Sequence, residues 1–294
     1  MMSETEVGTT GLLAPDALSG VQIALSASES PDLPRLGLLD IHFRLALAET
    51  ARSVLVGGGR LAYGGHLNAD GYTAFMIREL HRYSRRDRPL TVCLAWSEHR
   101  RMALASLTKQ EDELGLFGEI LCLDPNGAVV AFDAGRGADP ENNIESAVVE
   151  KSLTSMRKHL AAKCQGLLVI GGKREGFQGQ LPGVLEEVLM FMEQDKPVYP
   201  AAGFGGTTFE LIKIIDPQTA QWFPALQNGA APDAKHTMAL KRVETIVARR
   251  GWAALNNGLS DADNRRLATT HRPSEIAALI SLGLGRNFSK GKKT

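Results

Sequence analysis

Two adjacent carboxylates, Glu186 and Glu187, follow closely on Pro182 in the run "LVIGGKREGFQGQLPGVLEEVLMF" (168–191). An apolar segment there ends in Gly171-Gly172, a glycine-rich stretch carries Lys173 and Arg174, and a helix is expected to open at Pro182-Gly183. A helix start offers unpaired N–H groups and the positive end of the helix dipole, an arrangement that suits a phosphate. A carboxylate in the same first turn has three possible uses. It can meet the dipole, accept a hydrogen bond from a ribose hydroxyl, or polarise a hydroxyl or an attacking water during N-glycosidic cleavage. Neighbours on a helix diverge by about 100°, so both glutamates are not expected to face one site.

Other segments point to the same kind of ligand. Four apolar runs end in small residues: Ser26-Ala27-Ser28, Gly64-Gly65 followed by His66, Gly171-Gly172, and Gly203-Phe204-Gly205-Gly206. In an open parallel sheet the carboxyl ends of the strands form the ligand crevice, and glycine there lets backbone approach a phosphate closely. The candidate ligand-binding residues are therefore Ser26, Ser28, Gly64, Gly65, His66, Gly171, Gly172, Lys173, Arg174, Gly183, Glu186 and Gly203, Phe204, Gly205 and Gly206. No GxGxxG follows the first strand and no GxxxxGK[ST] occurs, which disfavours a dinucleotide fold of the usual kind and a P-loop NTPase. No Ser–His–Asp set is apparent. The seven histidines show neither HxH nor HExxH spacing, so neither a metal nor a cofactor is expected.

These residues must be held by an alternation of strands and helices. Strands are expected at 21–26, 60–65, 90–96, around 118–132 as a hairpin or sheet edge turning at Asp124–Gly127, at 166–172 and within 196–206, which has a glycine-rich exit. Helices are expected over 38–56, 70–83, 97–118, 144–163, 184–194, from 208, over 236–249 and over 273–284. The pattern predicts an α/β fold: a Rossmann-like, mainly parallel open sheet with helices on both faces, plus C-terminal helices. Residues 1–20 read as a loose tail, 21–215 as the nucleotide-binding domain, 216–286 as a helical extension that completes the fold or forms an oligomer interface, and 287–294 as a basic tail. Arg85–Arg88 reads as a basic surface turn.

Lysine plus arginine equals aspartate plus glutamate at 33 each, which argues against an overall electrostatic grip on nucleic acid. Cys93, Cys122 and Cys164 sit in apolar stretches without CxxC spacing and are expected to be buried free thiols. No signal peptide and no membrane span is visible, and a cytoplasmic protein is expected.

The set "ALSAS", "RLAYGGHLNADGYTAF", "MRKHLAAKCQGLLVIGGK", "GQLPGVLEEV" and "KPVYPAAGFGG" resembles the SLOG superfamily of Rossmann-like domains, over about Val21 to Ile215. That group includes the LOG phosphoribohydrolases, nucleotide-sensing domains of bacterial conflict systems, and Smf-type DNA-processing proteins. The segment "NGLSDADNRRLATTHRPSEIAALI" also looks like the C-terminal part of the sensor-type members. Against the PGGxGTxxE loop of the LOG enzymes, the resemblance lays Gly183–Glu187 over GTxxE, with Glu187 at the catalytic carboxylate. It lays Met156-Arg157-Lys158 over an upstream Arg-Lys pair, with Arg157 as the phosphate or base contact. Two departures matter. Val184 stands where a threonine would bind phosphate, and residues 173–181 form an insertion that suits a larger ligand such as an ADP-ribose derivative. The resemblance thus implies either a sensor of a nucleotide- or NAD-derived signal, acting as a homo-oligomer or on a separately encoded effector, or an N-glycosidase using Glu187.

Overall fold

The structure, a computed structural model, describes residues 13–67, 71–80, 87–224 and 233–288. Seven strands form one sheet: β1 (Gln22–Ser28), β2 (Arg60–Gly64), β3 (Leu90–Leu94), β4 (Gly118–Leu123), β5 (Val129–Val130), β6 (Gly166–Gly171) and β7 (Val198–Ala201), in the order β5-β4-β3-β2-β1-β6-β7. All neighbours are parallel except β4 and β5, which pair antiparallel across the expected Asp124–Gly127 turn. The helices between them are α1 (Asp40–Val56), α2 (Tyr72–Leu80), α3 (Trp96–Arg100), α4 (Leu104–Leu114), α5 (Ser146–Lys163), α6 (Gly183–Met192) and α7 (Gly206–Ile215). After β7 and α7 come α8 (Ala234–Val247), α9 (Asp261–Thr269) and α10 (Pro273–Phe288). The fold is the Rossmann-like α/β arrangement that the alternation predicts.

The strands alternate between two cores, as the two-residue period of a strand requires. Ile23, Leu25, Leu61, Tyr63, Val92, Leu168 and Ile170 face the layer of α1, α2, α4 and α10. Ala24, Ala62, Cys93, Leu167 and Val169 face that of α5, α6, α7 and α8. Small residues on β1, β2 and β3 leave room on the second face, and α5 packs across these three strands. The three thiols are buried and free, and burial pushes each up to about 12, so they behave as small apolar side chains.

Several expectations are adjusted. The first residues are not loose throughout: Leu18 is fully buried and its N–H donates to Gly57 O at 2.7 Å, so the fold begins before β1. The polar stretch 97–118 is two helices, α3 and α4, parted at Arg101–Ala103. The helix α9 was not anticipated, because its sequence DADNRRLAT carries few apolar residues; Ser260 caps it by accepting the Asp263 N–H. The last helix runs on to Phe288, where Asn287 Nδ2 donates to Asn256 O at 2.9 Å. The first two residues of the Arg85–Arg88 turn and the end of the basic tail lie outside the described residues.

The helices after residue 216 are built into the core. Ile276, Ile280 and Leu284 of α10 share one cluster with Phe43 and Leu47 of α1. Buried Asn257 donates to Val198 O at 3.0 Å and to Asn264 Oδ1 at 2.8 Å, tying α9 to β7. Leu284 is 0% exposed, so Leu284→Ala is expected to cost about 2–5 kcal/mol in urea unfolding, in a single transition shared by the whole chain. A separate early transition for the C-terminal helices would contradict this packing.

Candidate functional site

β1 has β2 on one side and β6 on the other, while the chain runs outward from β1 to β4 before returning to β6. The connections leaving β1 and β6 therefore part in opposite directions and leave a crevice above their carboxyl ends. A cleft of about 580 Å³ lies there. Of the residues singled out in the sequence, Ser26, Ser28, Gly64, Gly65, His66, Arg157, Lys173, Gly183 and Glu187 line it.

The two glutamates at the start of α6 take different surroundings, as the helical twist requires. Glu186 turns to α5: Thr154 Oγ1 donates to it at 2.7 Å, and Arg157 forms a close ion pair with it. Both partners of that pair are buried, at 4% and 9% exposure. Glu186 is accordingly not a wall of the cleft. Glu187 is, at 7% exposure. Burial raises the Glu187 carboxyl from its ordinary value near 4.5 to about 7; Arg157 and the Ser26 hydroxyl pull it down, and Glu186 pushes it up. The Ser26 hydroxyl is near enough to favour the charged form, yet it completes no hydrogen bond. Burial, with Glu187 close by, also raises the Tyr63 phenol, whose hydroxyl donates to Ala27 O at 3.4 Å. Helix α6 opens at Pro182 without a side-chain cap, so its first N–H groups remain for a ligand beside Gly183 and Val184. Arg157 touches this edge too: a Cβ on Gly183 would lie 2.7 Å from its guanidinium.

The loop after β6 separates its two cations. Lys173 stays at the cleft, its Nζ 3.0 Å from Glu29. Arg174 turns away, and its expected role as a phosphate ligand is corrected. Its guanidinium donates to both oxygens of buried Asp32, at 2.9 and 2.6 Å, and to Glu210 at 2.8 Å. Asp32 also accepts the Gly206 N–H at 2.7 Å, and Glu210 lies 2.6 Å from His236 Nε2. Burial alone would raise Asp32, but Arg174, the Gly206 N–H and Arg35 outweigh it and hold the carboxyl below its ordinary value. A guanidinium committed to buried Asp32 and partly buried Glu210 is not free for a phosphate.

The fourth glycine-rich exit is also corrected. β7 is an edge strand, and Gly203, Phe204, Gly205 and Gly206 do not line the cleft. A Cβ on Gly203 would sit 1.9 Å from Thr270 O, and one on Gly205 2.5 Å from Asp32. Phe204 is fully buried edge-on to Phe43, with ring centroids 5.6 Å apart. Gly171 and Gly172 shape the turn without lining the cleft: φ is 109° at Gly172, and a Cβ there would meet Thr207 Oγ1 at 2.0 Å.

Other lining residues escaped the sequence reading. Glu98, Arg101 and Met102 come from α3 and its end, with Arg101 NH1 3.3 Å from Glu98. The exit of β3 carries Ala95 rather than glycine, so nothing in its composition marks it as a wall. Tyr63 and Tyr72 line the cleft from β2 and α2, and Phe177 and Gln178 from the loop tip. Among the described residues, no group of three or more His, Cys, Asp and Glu forms a metal site.

The raised Glu187 carboxyl gives a signed pH effect. The folded chain binds a proton that the unfolded chain releases between about pH 4.5 and 7, so Glu187 lowers stability as pH rises through that window. At about 1.4 kcal/mol per pH unit this approaches about 3 kcal/mol above pH 7. Glu187→Gln is expected to remove it: urea unfolding should show the variant gaining on wild type from pH 4.5 to 8. A constant difference between the two would contradict the assignment.

A family model described as SLOG cluster2 matches residues 17–267, from the turn before β1 to within α9. A search of curated proteins found no match. The matched span holds all seven strands and the whole cleft, and the SLOG family points to nucleotide-related binding or a LOG-like function. The chain belongs to the SLOG cluster2 family.

Proposed function

We propose that this protein binds a nucleotide- or NAD-derived ligand, ADP-ribose-like in size, in the cleft above β1, β2 and β6, and that it serves as a signal sensor in a bacterial defence or signalling system. The observation that carries this reading is the cleft at the strand-order switch, about 580 Å³, with an uncapped helix start beside it. That volume falls within the range of small-molecule sites, roughly 300–1,000 Å³. The ion-paired Lys173–Glu29 and Arg101–Glu98 flank it and can re-pair with phosphates and ribose hydroxyls. Val184 removes a hydroxyl that the LOG pattern places on phosphate, which favours recognition over turnover of a monophosphate. Occupancy would be passed on through a homo-oligomer or to a separately encoded effector.

A second reading rests on Glu187 itself. A carboxyl near pH 7 in a cleft is half protonated at neutrality and can act as acid or base. In a LOG-like N-glycosidase it would take a proton from the attacking water as the bond between base and ribose breaks.

One experiment separates the two. Wild type and Glu187→Gln are incubated with nucleoside monophosphates, ADP-ribose, cyclic ADP-ribose isomers and NAD. Thermal shift is measured on one aliquot and released base on another. A ligand at a hundredfold excess over its Kd should stabilise the fold by about 2.7 kcal/mol. Stabilisation with intact ligand is the expected result. Base released by wild type and not by the variant would replace the sensor with a hydrolase, and no shift with any of these compounds would overturn the nucleotide reading.

A further inference from the structure

The insertion between β6 and α6 is fixed at both ends. At the near end Arg174 holds buried Asp32 with two hydrogen bonds and Glu210 with a third. At the far end a Cβ on Gly179 would lie 2.5 Å from the Arg157 guanidinium, Leu181 is buried, and Lys235 Nζ donates to Gly179 O at 3.4 Å. Only residues 175–178 remain between these anchors, and Gly176, Phe177 and Gln178 line the cleft.

Phe177 is the one aromatic residue of this loop, and it is half-buried. Phe43, Phe204, Phe209 and Phe223 each pack against another ring, yet among the described residues neither a ring nor a cation packs on Phe177. Nor does it belong to either core cluster or to the apolar side chains packed against them. A large apolar ring, held at a cleft wall between the Arg174 ion pairs on one side and the packing of Gly179 and Leu181 on the other, has its packing partner supplied from outside. A planar heterocycle meets that need, because every base presents a face that stacks on an aromatic ring.

We infer that Phe177 is the platform on which the ligand's base stacks, and that it makes the cleft selective for base-bearing nucleotides over ribose phosphates. This rests on the nucleotide reading above and deepens it. Lys173 and the start of α6 serve the phosphate end, and Phe177 serves the base. The anchors make the platform a preformed wall, so little ordering is needed when the ligand binds.

Calorimetric titration of the full chain with AMP, ADP-ribose and ribose 5-phosphate tests this in wild type, Phe177→Ala and Phe177→Trp. Phe177→Ala is expected to weaken AMP and ADP-ribose by about 5- to 100-fold and to leave ribose 5-phosphate within about twofold. Phe177→Trp should retain AMP binding, and AMP but not ribose 5-phosphate should quench its added fluorescence. Undiminished AMP affinity in Phe177→Ala, or an equal loss for all three probes, overturns the platform while leaving the site intact. If Phe177→Ala does not fold, the tryptophan variant decides, and absence of AMP-specific quenching overturns the assignment. Failure of wild type to bind any of the three overturns the nucleotide reading and the platform together.

Discussion

A single guanidinium shared between a buried ion pair and the mouth of α6 sets the chemistry of the cleft. Arg157 neutralises Glu186 and also lies against Gly179 and Gly183, so the group that satisfies one carboxylate closes the insertion loop and seats the helix start. A carboxylate as buried as Glu186 needs such a partner, because an unpaired charge inside a protein costs several kcal/mol. With Thr154 and Arg157 bonded to its neighbour, burial outweighs the pull of Arg157 and Ser26 on Glu187 and brings its pKa to about 7. Two adjacent, chemically identical residues thus have different properties. One is held in a buried ion pair; the other is poised to exchange a proton.

That arrangement depends on how closely α5 approaches the sheet. Ala24, Ala62 and Cys93 are small where α5 crosses, and Ser152 of α5 donates to Ser97 of α3 at 2.9 Å. Arg157 is thereby carried to the start of α6. A second buried network, Arg35–Asp32–Arg174–Glu210–His236, joins the loop after β1, the loop after β6, α7 and α8. The two networks bracket the insertion, and the strand-end loops hold their form because charged groups beneath them are mutually satisfied.

Much of this was legible in the residues. The alternating runs revealed the strands and their order in the chain, and the glycine-rich exit of β2, the serines of β1 and Lys173 after β6 pointed to residues that line the cleft. Helical spacing alone argued that Glu186 and Glu187 would diverge. What escaped had physical reasons. Arg174 looked like a phosphate ligand because its partners, Asp32 and Glu210, lie 142 and 36 positions away in the chain. The glycines at 203–206 looked like a crevice because composition cannot tell an edge strand from a central one; their lack of side chains makes room for Thr270 and Asp32. The α3 wall has no small-residue exit, and α9 is too polar to show an apolar period.

The division of labour between the two glutamates is the central claim, and side-chain carboxyl NMR tests it most directly. With ¹³C-labelled glutamate in the full chain, resonances are assigned by their loss in Glu187→Gln and Glu186→Gln and followed over pH 3 to 9. The account predicts a Glu187 midpoint near 7. A Glu187 midpoint below about 5, within the ordinary carboxylate range, would contradict it.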